Sequence, residues 1–164
     1  MNAKNLIKDL SAYNSWANLQ VIIWLQNSTP EILTQKIPSS FSTIKSTFLH
    51  IWNAERFWFS FLQKKDFEPF RKDFEENYKS FFDGIHKQSF DLEMFVNSLS
   101  EVELEEEYTI NTPWLKGTKP CNIFIQHAIN HSTYHRGQLI TLGRIAGLEN
   151  PPNTDFLKFE IKDL

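Results

Sequence analysis

The sequence predicts an all-α fold: a four-helix bundle with a short irregular or hairpin insert before the last helix. Three observations predict it. Four long segments carry apolar residues at three- and four-residue steps, breaks rich in Pro and polar residues separate them, and 164 residues suit one domain spanning 1–164. A chain of this length can bury about 70% of its unfolded surface, so it needs no staple to fold. Hydrophobic residues make up 41% and aromatics 15%, with 15 Phe and 5 Trp, which excludes a disordered composition.

Each element has its own signal. Residues 3–27 read as a first helix, because Leu6, Leu10, Tyr13, Ala17, Val21 and Trp24 recur at helical steps with no Gly or Pro between them. Asn27-Ser28-Thr29-Pro30 ends it. A connection with Pro30 and Pro38 follows, and Ser39, Ser40 or Ser42 can cap the next helix. That second helix is expected over 41–64. Phe41, Ile44, Phe48, Ile51, Trp52, Phe59 and Leu62 form one stripe, and His50, Ala54, Phe57 and Phe61 form another. A helix apolar on nearly every side is buried on nearly every side, so His50 is expected to point into protein.

Residues 65–73 read as a polar connection, and 74–98 as a third helix interrupted near Gly84. Phe81, Ile85, Leu92, Phe95, Val96 and Leu99 supply its core face. The stretch 105–111 alternates weakly and faces 114–118 across Pro113, which predicts a short hairpin. Pro120 suits the first turn of a fourth helix, with Thr118 or Lys119 near its cap, running to about residue 146. Gly147 is placed for its C-terminal cap, Pro151-Pro152 forbids continuation, and the tail 153–159 reads as irregular. The charge run Glu101, Glu103, Glu105, Glu106 and Glu107 reads as a solvated edge.

The formal net charge is −3, with 17 Lys+Arg against 20 Asp+Glu, so no basic footprint for nucleic acid exists. The one cysteine, Cys121, excludes an intrachain disulfide and points to a reducing compartment. The N-terminus has no signal-peptide core, and no run reaches 18 apolar residues, so the expectation is a cytoplasmic protein with no membrane partner. Trp16, Trp24, Phe57 and Phe61 fall on outer or second stripes, more apolar surface than one small bundle readily buries. That predicts a homodimer.

Three of the five histidines, His127, His131 and His135, stand at intervals of four. At 100° per residue they drift only about 80° around a helix and share one face. A single histidine on an apolar face is usually a hydrogen-bonded core residue, and His86 is read that way. Several imidazoles together cost a few kcal/mol to desolvate unless each finds a partner, and a metal satisfies them jointly. With His50 on another apolar segment, the pattern suggests a metal held between two helices. The bare spacing does not choose between the pairs 127/131 and 131/135.

The segment His131-Ser132-Thr133-Tyr134-His135-Arg136-Gly137-Gln138 resembles the signature of the DinB/YfiT-like family of bacterial metal-binding four-helix bundles. Tyr13-Asn14-Ser15-Trp16-Ala17-Asn18 resembles its first-helix motif. Phe48-Leu49-His50-Ile51-Trp52-Asn53-Ala54-Glu55 resembles its second-helix histidine motif, and Pro151-Pro152-Asn153-Thr154-Asp155-Phe156 its usual close. The resemblance covers the whole chain, and the ordered set is specific.

It implies a divalent metal on His50, His131 and His135, with His127 supporting a ligand from behind or standing in the pocket wall, and it also points to dimers. Imidazole ligation suits Zn, Ni, Fe or Cu. Three neutral ligands leave an open position where a bound water or thiol has its pKa lowered. Relatives of this kind include S-transferases that use the low-molecular-weight thiols bacillithiol or mycothiol. The implied activity is therefore transfer of such a thiol to an electrophilic small-molecule substrate, in detoxification or stress response. A metal-dependent hydrolase and a non-catalytic metal-binding stress protein are the alternatives.

Four further residues have sequence-level readings. Glu55 is a candidate acceptor for an imidazole N–H, beside a surface or interhelical role. Arg136 can hold a carboxylate from another helix, and Gln138, on the histidine side, can orient a ligand. Gly137 in mid-helix costs about 1 kcal/mol relative to Ala, with close helix packing the favoured reason. Cys121, with no paired base in sight, reads as an ordinary small residue.

Overall fold

The computed structural model describes residues 3–67 and 78–160. In chain order the elements are α1 (Ala3–Leu25), α2 (Pro30–Thr34), α3 (Ile44–Leu62), α4 (Tyr78–Ser98), α5 (Glu101–Glu105), β1 (Glu107–Asn111), β2 (Lys116–Pro120), α6 (Cys121–Ile145) and α7 (Phe156–Glu160). Four long helices form the bundle. Both α1 and α3 pack on α4 and α6, which makes α1 and α3 diagonal partners. The strands β1 and β2 pair antiparallel, with Ile110 opposite Gly117 and Tyr108 opposite Lys119. No described helix is long and apolar enough to cross a membrane.

The core is divided in two along the bundle axis. One apolar cluster gathers Val21, Leu25, Phe48, Ile51, Phe82, Ile85 and Leu139. The other gathers Trp58, Leu62, Leu92, Val96, Phe124, Ile125 and Ile129. Between them every long helix contributes buried polar residues: Asn14 and Asn18 from α1, Glu55 from α3, Ser89 from α4, and Ser132 and Arg136 from α6. That layer lies at the level of the α6 histidines.

The structure moves several expected boundaries. The second long helix starts at Ile44, not 41, because Thr43 is its N-cap and accepts from the Ser46 backbone N–H. Ser42, at φ 52, lies in the left-handed region just before that cap. The connection before it contains the short helix α2, with Pro30 at its first position. Glu101–Glu105 is also a helical turn, fixed by a Ser100/Glu103 capping box, and its acids are exposed while Leu104 is buried. Pro120 ends β2 and is itself the cap position of α6. The free Cys121 N–H there is satisfied by the Glu106 carbonyl at 2.9 Å. The tail is not wholly irregular: α7 lays Phe156 and Phe159 edge-on to Tyr13, at 5.3 and 6.1 Å. The expected helical residues 74–77 lie outside the described residues.

The expected hairpin forms, displaced by two residues, and Gly147 (φ 87) ends α6 in a Schellman motif. The Leu148 N–H donates to the Gly143 carbonyl at 2.9 Å and the Gly147 N–H to the Arg144 carbonyl at 3.1 Å. Trp16, Trp24, Phe57 and Phe61 are all partly buried by this chain's own residues. Phe61, for example, stands 5.0 Å from Phe124, and the Trp24 indole N–H donates to the Glu149 carbonyl at 2.8 Å. Packing with residues distant in sequence covers what the helical stripes left uncovered, so these four side chains no longer motivate a dimer.

Three helical glycines differ in what surrounds them. α4 runs unbroken through Gly84, where a Cβ would lie 2.5 Å from the Trp52 ring, so this glycine admits a neighbour's indole rather than breaking the helix. At Gly143 a Cβ would overlap the Trp24 ring. At Gly137 a Cβ would meet nothing within 4 Å, and the residue is exposed, so neither close packing nor room beside the histidines explains it. Gly137→Ala is therefore expected to stabilise the protein by up to about 1 kcal/mol through helix propensity. Gly143→Ala, with the indole held by its hydrogen bond, is expected to cost about 1–3 kcal/mol by overpacking. Urea unfolding of the two variants checks the opposite signs.

Candidate metal centre

α6 carries His131 and His135 one turn apart, and α3 packs against that face and brings His50 to them. The His131 Nε2 lies 3.1 Å from His50 Nε2 and 3.2 Å from His135 Nε2. One ligand atom from each of the three falls within 4.8 Å of the others. Nitrogens bound tetrahedrally to one ion at 2.0–2.1 Å stand about 3.3 Å apart, so the spacing fits a shared metal. Among the described residues none of these three Nε2 atoms is bonded to a carboxylate or carbonyl, and His131 Nδ1 is buried with no partner.

Side chains around the three rings fix their poses. The His135 Nδ1–H donates to Gln138 Oε1 at 2.7 Å, which leaves the Nε2 lone pair facing the other two histidines. Phe41 stacks on His50 at 4.1 Å and 23°, and meets His135 edge-on at 5.5 Å. Tyr134 meets His135 edge-on at 4.9 Å. Burial, followed by the neighbouring His135, His50 and His127, pushes the His131 pKa down to about 4. Burial also lowers the pKa of His50, with His135 adding to the effect, and that of His127. At neutral pH these imidazoles are unprotonated and available as ligands.

One side of the group is open. A cavity of about 510 Å³ is lined by His50, His131 and His127 together with Phe57, Trp58, Phe67 and Trp114. That volume is within the usual range for a small-molecule site. Phe41 and His135 do not line it, so His50 and His131 are the edge of the group that an incoming molecule meets. His127 sits in the cavity wall, edge-on to Trp58 at 4.7 Å, and is not one of the three. His86, half-buried on α4, is apart from all of them.

Glu55 does not accept from an imidazole. It is 1% exposed and belongs to the polar layer. Its Oε1 accepts from Asn14 Nδ2 and Asn18 Nδ2, both at 2.8 Å, and from the Ser132 hydroxyl at 3.0 Å, while Oε2 accepts from the Ser89 hydroxyl at 2.7 Å. Arg136, also 1% exposed, has no carboxylate among its hydrogen-bond partners in the described residues. Its guanidinium donates to Asn14 Oδ1 at 2.6 Å, Asn18 Oδ1 at 2.9 Å and Thr133 Oγ1 at 2.7 Å. The two asparagines thus give their carbonyls to the cation and their amides to the anion. Sequence reasoning missed this role of Asn14 and Asn18. Their spacing of four on one apolar helix was the available signal.

Ser132 and Thr133 follow His131 directly, and Arg136 follows His135. The network therefore holds the histidine turn of α6 against α1 and α3. Cys121 is fully buried at the far end of α6, and burial, then Glu106, pushes its thiol up to about 11. It is not a nucleophile at neutral pH.

Comparison with known proteins agrees with this architecture. A model described as the DinB family matches residues 1–163. The chain is also 27% identical over 160 residues to a protein of Bacillus subtilis (strain 168) named "Protein DinB", covering 90% of this chain and 89% of that relative.

Proposed function

This chain belongs to the DinB family, and on that premise we propose that it is a metal-dependent enzyme that transfers a low-molecular-weight thiol to an electrophilic small molecule. His50, His131 and His135 are the metal ligands in this reading. One observation carries it: three imidazoles converge beside an aromatic cavity large enough for a substrate. A divalent ion there supplies Lewis acidity, which lowers the pKa of a thiol or water that reaches it.

The chain's own residues do the rest. Gln138 fixes the His135 tautomer, and Phe41 closes the side of the group away from the cavity. Phe57, Trp58, Phe67 and Trp114 give the cavity apolar walls that exclude water and favour an apolar electrophile. Among the described residues no carboxylate lines the cavity, and His127, the one wall imidazole outside the ligand set, packs edge-on to Trp58, which ranks a hydrolase second. The inert Cys121 supports a thiol that arrives with the substrates. Detoxification or stress response is the setting such chemistry fits. Homodimerisation remains part of the proposal through the family resemblance, with Phe90 and Met94, about half exposed and one turn apart on α4, available to a second copy.

The test is anaerobic metal analysis followed by a panel of bacillithiol, mycothiol, glutathione and coenzyme A against a generic electrophile. Activity is expected with one thiol, lost on chelation, restored by divalent metal, and unchanged in Cys121→Ser. Full activity after chelation would overturn the metal mechanism. Metal binding without activity toward any thiol leaves the hydrolase and the non-catalytic protein as the surviving readings.

A further inference from the structure

A second, smaller cavity adjoins the first. It measures about 220 Å³ and lies between the hairpin and α6, lined by Trp58, Ile110, Lys116, Gly117, Lys119 and Phe124 among others. Trp58 and His127 line both cavities, and the hairpin turn roofs both, with Trp114 over one and Leu115 over the other. At this size the smaller space falls below the usual range for a complete small-molecule site, which marks it as an annex to the metal cavity.

The hairpin register explains why the annex exists. Residues directly opposite in an antiparallel pair share a face. Ile110 and Gly117 are opposite, as are Tyr108 and Lys119, and the buried Ile110 identifies theirs as the inward face. Gly117 has no side chain on that face, and a Cβ built there would meet nothing within 4 Å. Its φ is not in the left-handed region, so the backbone does not demand glycine. The missing side chain leaves space, and Lys119 stands two residues along on the same face.

Among the described residues Lys119 has no ion-pair partner. The nearby acids are engaged elsewhere: Glu106 binds Lys64 at 2.7 Å, and Glu107 lines a separate depression with Phe61, Lys64 and Lys65. The annex therefore combines an aromatic and aliphatic wall with two lysines that have no ion-pair partner among the described residues; Lys119 shares the inward face with Gly117, whereas Lys116 alternates to the other face of the strand.

We propose that the annex is the substrate-recognition pocket, taking the apolar part of an organic anion whose negative group is read by Lys119. The proposal rests on the metal-site reading only for where the substrate's reacting end goes, past Trp58 and His127 to His50 and His131. The substrate class it names is an aromatic or alkyl electrophile carrying an acid group.

The experiment uses 4-phenylbutane-1-sulfonate and its uncharged counterpart 4-phenylbutan-1-ol. Sulfonate is a weak metal ligand, so binding does not depend on the ion. Each is titrated by calorimetry into the zinc-treated full-length protein, its Gly117→Leu, Ile123→Trp and Lys119→Gln variants, and a Lys65→Gln control. Metal content is measured separately, so a failure of zinc binding judges the metal reading and not the annex. Gly117→Leu and Ile123→Trp fill the annex from opposite walls and are each expected to weaken both probes at least about tenfold. Lys119→Gln is expected to weaken the sulfonate about fivefold, leave the alcohol unchanged and so reduce the preference between them, with Lys116 left as the one lysine lining the annex. Lys65→Gln is expected to change neither. Wild-type affinity in both filled variants, or no saturable binding to wild type, overturns the annex as a binding site. An undiminished sulfonate preference in Lys119→Gln overturns the role of Lys119.

Discussion

Glu55→Ala is expected to cost about 3–5 kcal/mol of folding stability, because it leaves a buried cation and four donors without their acceptor. Asn14, Asn18, Ser89 and Ser132 all donate to this one carboxylate. The Arg136 guanidinium, 1% exposed, then keeps the asparagine carbonyls, Thr133 and the Tyr13 ring around it among the described residues. Removing the anion removes both the hydrogen bonds and the nearest compensation for that charge. Burial already lowers the Arg136 pKa, with Tyr13 and Glu55 acting in the opposite direction. Typical domains are stable by about 5–15 kcal/mol, so the loss is a large fraction of the total. Glu55→Gln is expected to cost less, since its remaining oxygen still accepts. The urea midpoint decides it: a loss under about 1 kcal/mol in Glu55→Ala would mean the layer carries no such strain when broken. Because Ser132 adjoins His131, both variants are also expected to weaken metal binding by about 10- to 100-fold when folded.

Replacing any one of His50, His131 and His135 by alanine is expected to reduce affinity for zinc by on the order of 100-fold or more, since two imidazoles do not hold the ion tightly. His86→Ala is expected to leave it unchanged. Full zinc occupancy in His50→Ala would show that the assigned ligand set is wrong. His131, with His50 and His127, gives the metal-free protein an acid limit. The His131 pKa is lowered from 6.5 to about 4 on folding. As pH falls below 6.5, the unfolded chain therefore takes up the proton before the folded one does. The corresponding stability is fully present above pH 6.5 and is lost progressively down to about pH 4. His50 and His127, shifted the same way, act in the same direction. The urea midpoint of the metal-free protein should fall across this window, and by less in His131→Ala. Saturating zinc should raise the midpoint near neutral pH, an effect that fades as protons compete for the imidazoles.

Helical periodicity and punctuation made most of the fold readable. The stripes of α1, α3 and α6, the Pro and Gly stops and the weak alternation before Pro120 are local signals, and each element formed where they placed it to within a few residues. The short helices α2, α5 and α7 escaped because a single turn has too few residues to show a period. Thr43, rather than a neighbouring serine, became the cap because only its backbone is extended with the side chain within reach of the Ser46 N–H. Gly84 looked like a break because its reason, the Trp52 ring, comes from a different helix.

By itself the sequence determined which histidines could meet on one helix face, and its likeness to the DinB family singled out His50, His131 and His135. Spacing alone could not, since His127 and His131 are as well placed on an isolated helix as His131 and His135. Packing distinguishes the two pairs by their surroundings. α3 brings His50 opposite the second pair, while His127 is turned into the cavity wall against Trp58. Only the tertiary structure showed that Glu55 and Arg136 are joined through Asn14 and Asn18, that Gly137 packs on nothing, and that Gly117 leaves a pocket open beside Lys119. The physical reason is the same in each case. Helix and strand formation is governed by neighbours in the chain, but a buried hydrogen-bond partner, a ring filling a glycine notch or an unfilled space depends on residues brought together from distant segments.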